Sequence, residues 1–438
     1  MRRRRVVRKV SFGIALVFTV LAATFAQGAS AVSPKAAAPP APSTGDISKI
    51  NHVVVLMQEN RSFDSYFSQL HFDGQPKSSV ESQQPNPNPL GGPGIHPFLT
   101  TDQCTVADLD HGWDATHREI DGGKMDGFTT ENAVPADPSG SRAMGYFNGQ
   151  TLPFYYDTAN QFAVADRYFA SVPGPTYPNR FYLLTGTSFG YVSNVTKVYN
   201  QKTIFESLED AGVSWKIYLT SLQVEVLFQF VQDHQVGHLF PISQYYTDAA
   251  NGNLPQVSFL ESDPFGDVNH ESDEHPPANV QVGEKFTHDA MDALVHSPNW
   301  SSSAFFLTYD EHGGYYDHVT PPAAVPPDDI PPMVPPGDPF NQFNQLGVRV
   351  PTMVVSPYAK AHYVSHTVFD HTSILKFIET RFGLAPLTRR DAAANNMTDM
   401  FDFSHISHPN PVLANAPIDP AGEALCQQLH GGEIQTEP

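Results

Sequence analysis

The chain has 438 residues, a formal net charge of -21, 40% hydrophobic residues and only 16% charged ones. That composition excludes wholesale disorder and a coiled coil, and the acidic balance excludes a nucleic-acid binder, which needs a basic surface to displace counterions. Two cysteines, Cys104 and Cys426, cannot build a zinc finger or a disulfide scaffold; whether they pair or stay free is open at this level.

Arg2, Arg3, Arg4, Arg5, Arg8 and Lys9 precede a mostly apolar stretch from Phe12 to Phe25 and small residues through Ala31. Residues 1–31 therefore read as a secretory signal cleaved near Gly28–Ala31, with a retained anchor as the alternative. Residues 32–47 are Ala/Pro/Ser-rich and read as a flexible leader. The expected mature chain is secreted or extracytoplasmic, free or held at the cell wall. It has one domain over 48–405 and a tail over 406–438. No later apolar run approaches ~20 residues, the length of a membrane span. An acidic surface also repels anionic bilayers, so membrane contact is expected to be peripheral at most.

Val53–Met57 has the pattern of a buried strand, Lys202–Ala211 of a helix and Val213–Leu219 of a strand. Val282–Val295 reads as a helix, Ala304–Tyr309 and Val350–Ser356 as strands, and Thr372–Phe382 as a helix. Strands separated by helices of this length predict βαβ units and a largely parallel sheet. Two long irregular stretches interrupt the pattern, Gln75–Thr100 and the proline-rich Pro321–Pro339. Insertions of that length either cover a site or decorate the surface.

Polar residues follow two of the strands directly. Glu59 and Asn60 come after the first, Asp310 and Glu311 after Ala304–Tyr309. Ligands of open parallel sheets sit beyond the carboxyl ends of the strands, and oxygen ligands from two strand ends can hold a divalent cation. Either cluster alone reads equally as a helix cap. Thr176 stands at a helix start, before Tyr177-Pro178. There it is either an ordinary N-cap or a hydroxyl placed where backbone N–H groups favour a phosphate. Of 19 histidines, His111, His275 and His318 lie in polar loop contexts suited to binding phosphoryl oxygens or protonating a leaving group. His296, His405, His408 and His430 read as structural.

The segment Gln58-Glu59-Asn60-Arg61-Ser62-Phe63-Asp64-Ser65-Tyr66-Phe67 resembles the signature of the bacterial phosphoesterase family. That family includes phospholipases C, related acid phosphatases and plant non-specific phospholipases C. Further segments agree in order: Pro175–Arg180, Asp273–Pro277, Tyr309–Pro321, Arg349–Pro357 and Asp370–Glu379. The resemblance spans residues 48–385. It implies an α/β, alkaline-phosphatase-like three-layer sandwich with a central, mostly parallel sheet and long loop insertions. It also implies a divalent metal ion held by Glu59, Asn60, Thr176, Asp310 and Glu311. Thr176 corresponds to the phosphorylated nucleophile. His111, His275 and His318 correspond to groups that hold phosphoryl oxygens or protonate the leaving alkoxide, and Glu274 to an orienting carboxylate.

The implied activity is hydrolysis of a phospholipid or small phosphoester. Phospholipase C chemistry on diesters is the first expectation and acid-phosphatase chemistry on monoesters the alternative. A non-catalytic surface protein on the same fold would have lost the nucleophile or the ligands, and all are present. A sulfatase reading fails because Thr176, in Thr176-Tyr177-Pro178-Asn179-Arg180, cannot give the formylglycine that a Cys or Ser would. Aromatics near the motifs, Trp113, Tyr146, Phe147, Tyr155 and Tyr156, read either as a cage for a choline cation or as core packing.

Overall fold

The runs His52–Gln58 and Ser303–Tyr309 are apolar and rich in β-branched and aromatic residues, and each is buried along nearly its whole length. Such strands are stable only in the middle of a sheet covered on both faces. The computed structural model describes residues 46–80, 82–221 and 223–431 and places them there. The signal and nearly all of the leader lie outside the described residues.

Ten strands occur among the described residues. They are β1 (His52–Gln58), β2 (Phe98–Leu99), β3 (Gly145–Tyr146), β4 (Ala163–Ala165), β5 (Trp215–Leu219), β6 (Leu239–Pro241), β7 (Val257–Glu261), β8 (Ser303–Tyr309), β9 (Met353–Val355) and β10 (Tyr363–Ser365). β2 and β3 pair by themselves; the other eight form one sheet in the order β10-β4-β9-β8-β1-β7-β5-β6. Every neighbouring pair is parallel except β4–β9 and β8–β9, so β9 alone runs against the rest. The expected strand at Val350–Ser356 is thus shorter and reversed. Pro351 and Pro357 flank it and have no N–H to donate to a ladder, and the Val350 N–H is used by Tyr168 O at 3.0 Å instead.

The helices fall into two groups. The Thr176–Thr185 helix packs on the His371–Phe382 and Ile204–Asp210 helices, and the Val280–Val295 helix on the Ile242–Asn251 and Pro153–Gln161 helices. With both faces of β1, β7 and β8 buried, this is a three-layer α/β arrangement around a mostly parallel sheet. Each fully buried Val, Leu or Phe of that core contributes ~1.5–3 kcal/mol.

No helix among the described residues is long and apolar enough to cross a membrane. Cys104 and Cys426 are joined in a disulfide. The 321–339 segment has no helix or strand. It leans on the chain just beyond the Thr176–Thr185 helix, where Thr187 Oγ1 donates to Asp328 at 2.5 Å and Met333 N to Gly190 O at 2.8 Å.

Candidate active site

β1 and β8 are parallel neighbours in register, Gln58 opposite Tyr309. Whatever follows them must emerge side by side at the carboxyl edge. Glu59-Asn60 and Asp310-Glu311 do so, and all four are fully buried. The Asn60 N–H and the Glu311 N–H both donate to Asp310 Oδ1, at 3.1 and 2.7 Å, and Gly313 N–H donates to Glu311 Oε2 at 2.7 Å. Asn60 holds this turn with φ of 60°, a left-handed conformation that asparagine tolerates better than most residues. Gly313 is required opposite it, because a Cβ there would lie 2.4 Å from Asn60 O.

Thr176 is the first residue of its helix, and Pro175, not Thr176, is the N-cap. Thr176 therefore is not a capping residue. It sits nearly buried at the positive end of the helix dipole. One turn later on the same face is Arg180, which ties the helix to the strand ends. Its guanidinium meets Glu59 Oε1 at 2.9 Å, Glu261 Oε2 at 2.9 Å and Met57 O at 3.0 Å, with Asp310 Oδ2 at 3.8 Å. Glu261 ends β7, the other neighbour of β1. Arg180 lies within a motif segment, yet the sequence assigned it no role; its spacing of four from Thr176 was the available signal.

The Asp273–His275 segment reaches the same place, since Glu59 N–H donates to Asp273 O at 2.8 Å. His275 and His111 meet edge to face, ring centroids 5.7 Å apart. His275 Nε2 lies 4.0 Å from Asp108 Oδ2, and His111 Nε2 lies 4.0 Å from Glu311 Oε1. Each ring is oriented through Nδ1, which donates to Leu109 O at 2.8 Å in His111 and to Pro276 O at 2.7 Å in His275. Asp108, absent from the expected residues, thus joins the two histidines, and ligand atoms of the three lie within 4.8 Å of one another. Burial alone would lower the His111 pKa, but the Glu311 and Asp108 carboxylates override it and push it up to about 10.

Two further histidines brace the strand end from outside. His312 bridges buried Glu119 (Nε2 to Oε2, 2.7 Å) and Glu311 (Nδ1 to Oε2, 3.2 Å). His371 Nε2 donates to Asp310 O at 2.6 Å, and burial pushes its pKa down to about 4, so the ring is neutral. Burial and the neighbouring Glu59 and Glu311 carboxylates push the Asp310 carboxyl well above its usual range, with Arg180 opposing.

His318 joins a different group. Its Nδ1 and backbone N–H both meet Asp64 Oδ2, at 2.6 and 3.0 Å. Arg349 closes the group by pairing with Asp64 Oδ1 at 2.8 Å and Asp317 Oδ1 at 2.9 Å. Ligand atoms of Asp64, Asp317 and His318 also lie within 4.8 Å of one another. The hydrogen bonds and ion pair of His318 run to Asp64. Glu274, expected as an orienting carboxylate, has tyrosine hydroxyls as its neighbours. Its carboxylate accepts from the hydroxyls of Tyr66, Tyr155 (2.5 Å) and Tyr309 (2.9 Å) in the core. Tyr155 and Tyr156 are core residues, as is Trp113, packed on Phe343.

The centre keeps polar atoms without hydrogen bonds. Both amide atoms of Asn60, Asp310 Oδ2 and Glu311 Oε1 are buried without a hydrogen-bond partner among the described residues. Leaving such groups unpaired is costly, and clustered carboxylate and amide oxygens are the donor set of a hard divalent cation. The phosphoesterase family profile matches residues 50–385. Non-specific phospholipase C1 of Arabidopsis thaliana is 35% identical over 382 residues, covering 80% of this chain and 71% of that protein. Phospholipase C B of Mycobacterium tuberculosis is 35% identical over 439 residues, covering 85% and 81%. Among solved structures, an alkaline phosphatase superfamily protein from Vibrio parahaemolyticus aligns over 74% of this chain and 78% of its own, at 10% identity and a TM-score of 0.36. The chain belongs to the phosphoesterase family and is a phosphoric ester hydrolase.

Proposed function

We propose that this hydrolase is a secreted, metal-dependent phospholipase C that cleaves phospholipid diesters through a phospho-threonine intermediate. The observation that carries the metal reading is the set of buried oxygens on Asn60, Asp310 and Glu311 that accept no hydrogen bond, at adjoining strand ends. Glu59, Asn60, Asp310, Glu311 and the Thr176 hydroxyl would hold the ion. When bound, it supplies Lewis-acid neutralisation of phosphoryl charge and lowers the pKa of a coordinated hydroxyl.

The rest follows from the chain's own groups. Thr176 Oγ is the nucleophile on phosphorus, and the N–H groups of the first helical turn face the phosphoryl oxygens. His111, held with its Nε2 towards Glu311, and His275, with its Nε2 towards Asp108, are the proton donors to the departing alkoxide. Water then hydrolyses the phospho-threonine, and two in-line displacements retain configuration at phosphorus. Arg180 holds Glu59 and Glu261 in place, and His312 holds Glu311. His318, committed to Asp64, we assign to support of the Asp64–Arg349 cluster and not to the chemistry.

The disulfide supports an extracytoplasmic setting, where such bonds persist. The printed names of the relatives favour diesters over monoesters. Hydrolysis of p-nitrophenyl phosphorylcholine beside p-nitrophenyl phosphate decides the point. Preference for the diester, lost in Thr176→Ala, supports the reading; preference for the monoester makes the protein an acid phosphatase built on the same residues.

A further inference from the structure

Two of the segments around the centre have no regular structure of their own. One is the stretch 100–112 with Asp108 and His111, the other the stretch 262–279 with Asp273 and His275. Loops of this kind sample many conformations unless something outside them holds them. A general acid displaced by about 1 Å can lose 10²-fold in rate, so whatever holds these loops bears on catalysis.

The C-terminal helix Pro420–His430 touches both loops. Cys426 is bonded to Cys104 in the first, and the two cysteines pack against Val268 of the second. Polar contacts repeat the pattern on each side. On the His111 loop, His430 Nε2 donates to Thr105 O at 2.6 Å, and Gln103 Nε2 reaches Asp419 Oδ2 at 3.5 Å. On the His275 loop, Asn269 Nδ2 donates to Glu423 O at 3.0 Å. Asn279 N–H donates to Val268 O and Val280 N–H to Gln103 O, which joins the two loops beneath the helix. The fit at the helix start is close: a Cβ on Gly422 would overlap the Gln103 side chain. The family match ends at residue 385, so this helix lies outside the segment that defines the family.

We propose that the Pro420–His430 helix and the Cys104–Cys426 bond form a clamp that sets the relative position of His111 and His275, and that reducing the bond slackens both loops and lowers turnover while the sheet stays folded. The inference rests on the reading that these histidines act at the centre. The reducing step with a trialkylphosphine is balanced as follows. Phosphorus attacks one sulfur, the S–S bond breaks and the first thiolate leaves. Water converts the phosphonium to the phosphine oxide and releases the second thiolate. Both cysteines end protonated, with the phosphine oxidised by two electrons.

The bond spans a sequence separation of 322 residues, so its loss also frees the unfolded chain and lowers global stability. The experiment must separate that effect from loop positioning. Full-length protein is reduced under native conditions, complete reduction is confirmed by mass, and the Cys104→Ser/Cys426→Ser double variant is studied beside it. Hydrogen exchange is followed by peptide, and hydrolysis of both nitrophenyl esters gives kcat and KM. The expected result is faster exchange confined to 100–112 and 262–279, with β1 and β8 unchanged. The kcat should drop about 10- to 100-fold at nearly constant KM and recover on reoxidation. Unchanged kcat after complete reduction and in the double variant overturns the proposal. So does exchange that rises evenly through the sheet, which would make the bond a general stabiliser. If the wild type cleaves neither ester, the functional reading fails by itself, and the exchange pattern still decides the clamp.

Discussion

Two clusters in this molecule contain the same ingredients, carboxylates with an arginine and a histidine, and they differ in how well those groups are satisfied. In the Asp64–Asp317–His318–Arg349 cluster, every buried side-chain oxygen and nitrogen has a partner. In the Glu59–Asn60–Asp310–Glu311 centre, Arg180 reaches two of the acids, yet Asn60 Oδ1, Asp310 Oδ2 and Glu311 Oε1 are buried without accepting a hydrogen bond among the described residues. A closed network of charges is an internal brace. An open one, at the carboxyl edge of a parallel sheet beside a helix N-terminus, is arranged for something from outside. Residue type therefore identifies neither cluster; the unfilled valences do.

The largest effect is expected at Thr176, the proposed nucleophile. Thr176→Ala should lower kcat by about 10⁴-fold or more with unchanged circular dichroism. Residual activity near wild type would detach the helix N-terminus from the chemistry. Next is His111→Ala, expected to lose about 10²–10⁴-fold as a proton donor does. His318→Ala should lose under about tenfold in the same assay, less than the removal of a general acid costs. Equal losses would make the two clusters functional equals.

Arg349→Ala sharpens the other side. It strands two buried carboxylates and should destabilise by about 3–5 kcal/mol, read as a fall in Tm. The surviving folded fraction should keep its specific activity.

The smallest effect concerns a third buried acid, Glu379, which belongs to neither cluster. Burial first, and then the Asp391 carboxylate, push it up to about 9, with Lys376 at 3.9 Å opposing. The folded state therefore holds this proton more tightly than the unfolded one. Its contribution to stability is fullest below the unfolded carboxyl pKa and is lost as pH rises towards about 9. Glu379→Gln should flatten the fall in Tm over that window. An unchanged pH slope would contradict the assignment.

Four of the eight strands of the main sheet, β1, β5, β8 and β9, were legible in the sequence, β1 and β8 because of their length. β1 and β8 are seven-residue apolar runs followed at once by acids, which located both the strands and the site edge. β4, β6 and β10 span three residues each, too few for a period to show; β9 was expected within Val350–Ser356, but nothing local encodes that it runs antiparallel, and β7 went unread although it spans five residues. The carboxylates and Thr176 stand out in the sequence because they adjoin regular elements. The partnership of His111, His275 and Asp108 is built by two irregular loops more than 150 residues apart, so polar context and resemblance pointed to the histidines one by one but not to their pairing, and Asp108 escaped. His318 looked like their equal in sequence because its neighbour, Asp64, is visible only after folding.

The measurement that tests the central claim most directly is the metal content of three purified proteins side by side: wild type, Glu311→Gln and His318→Ala. Bound metal is expected in the wild type and in His318→Ala, and its loss from Glu311→Gln. Metal retained in Glu311→Gln and lost from His318→Ala would put the ion in the other cluster and reverse the comparison.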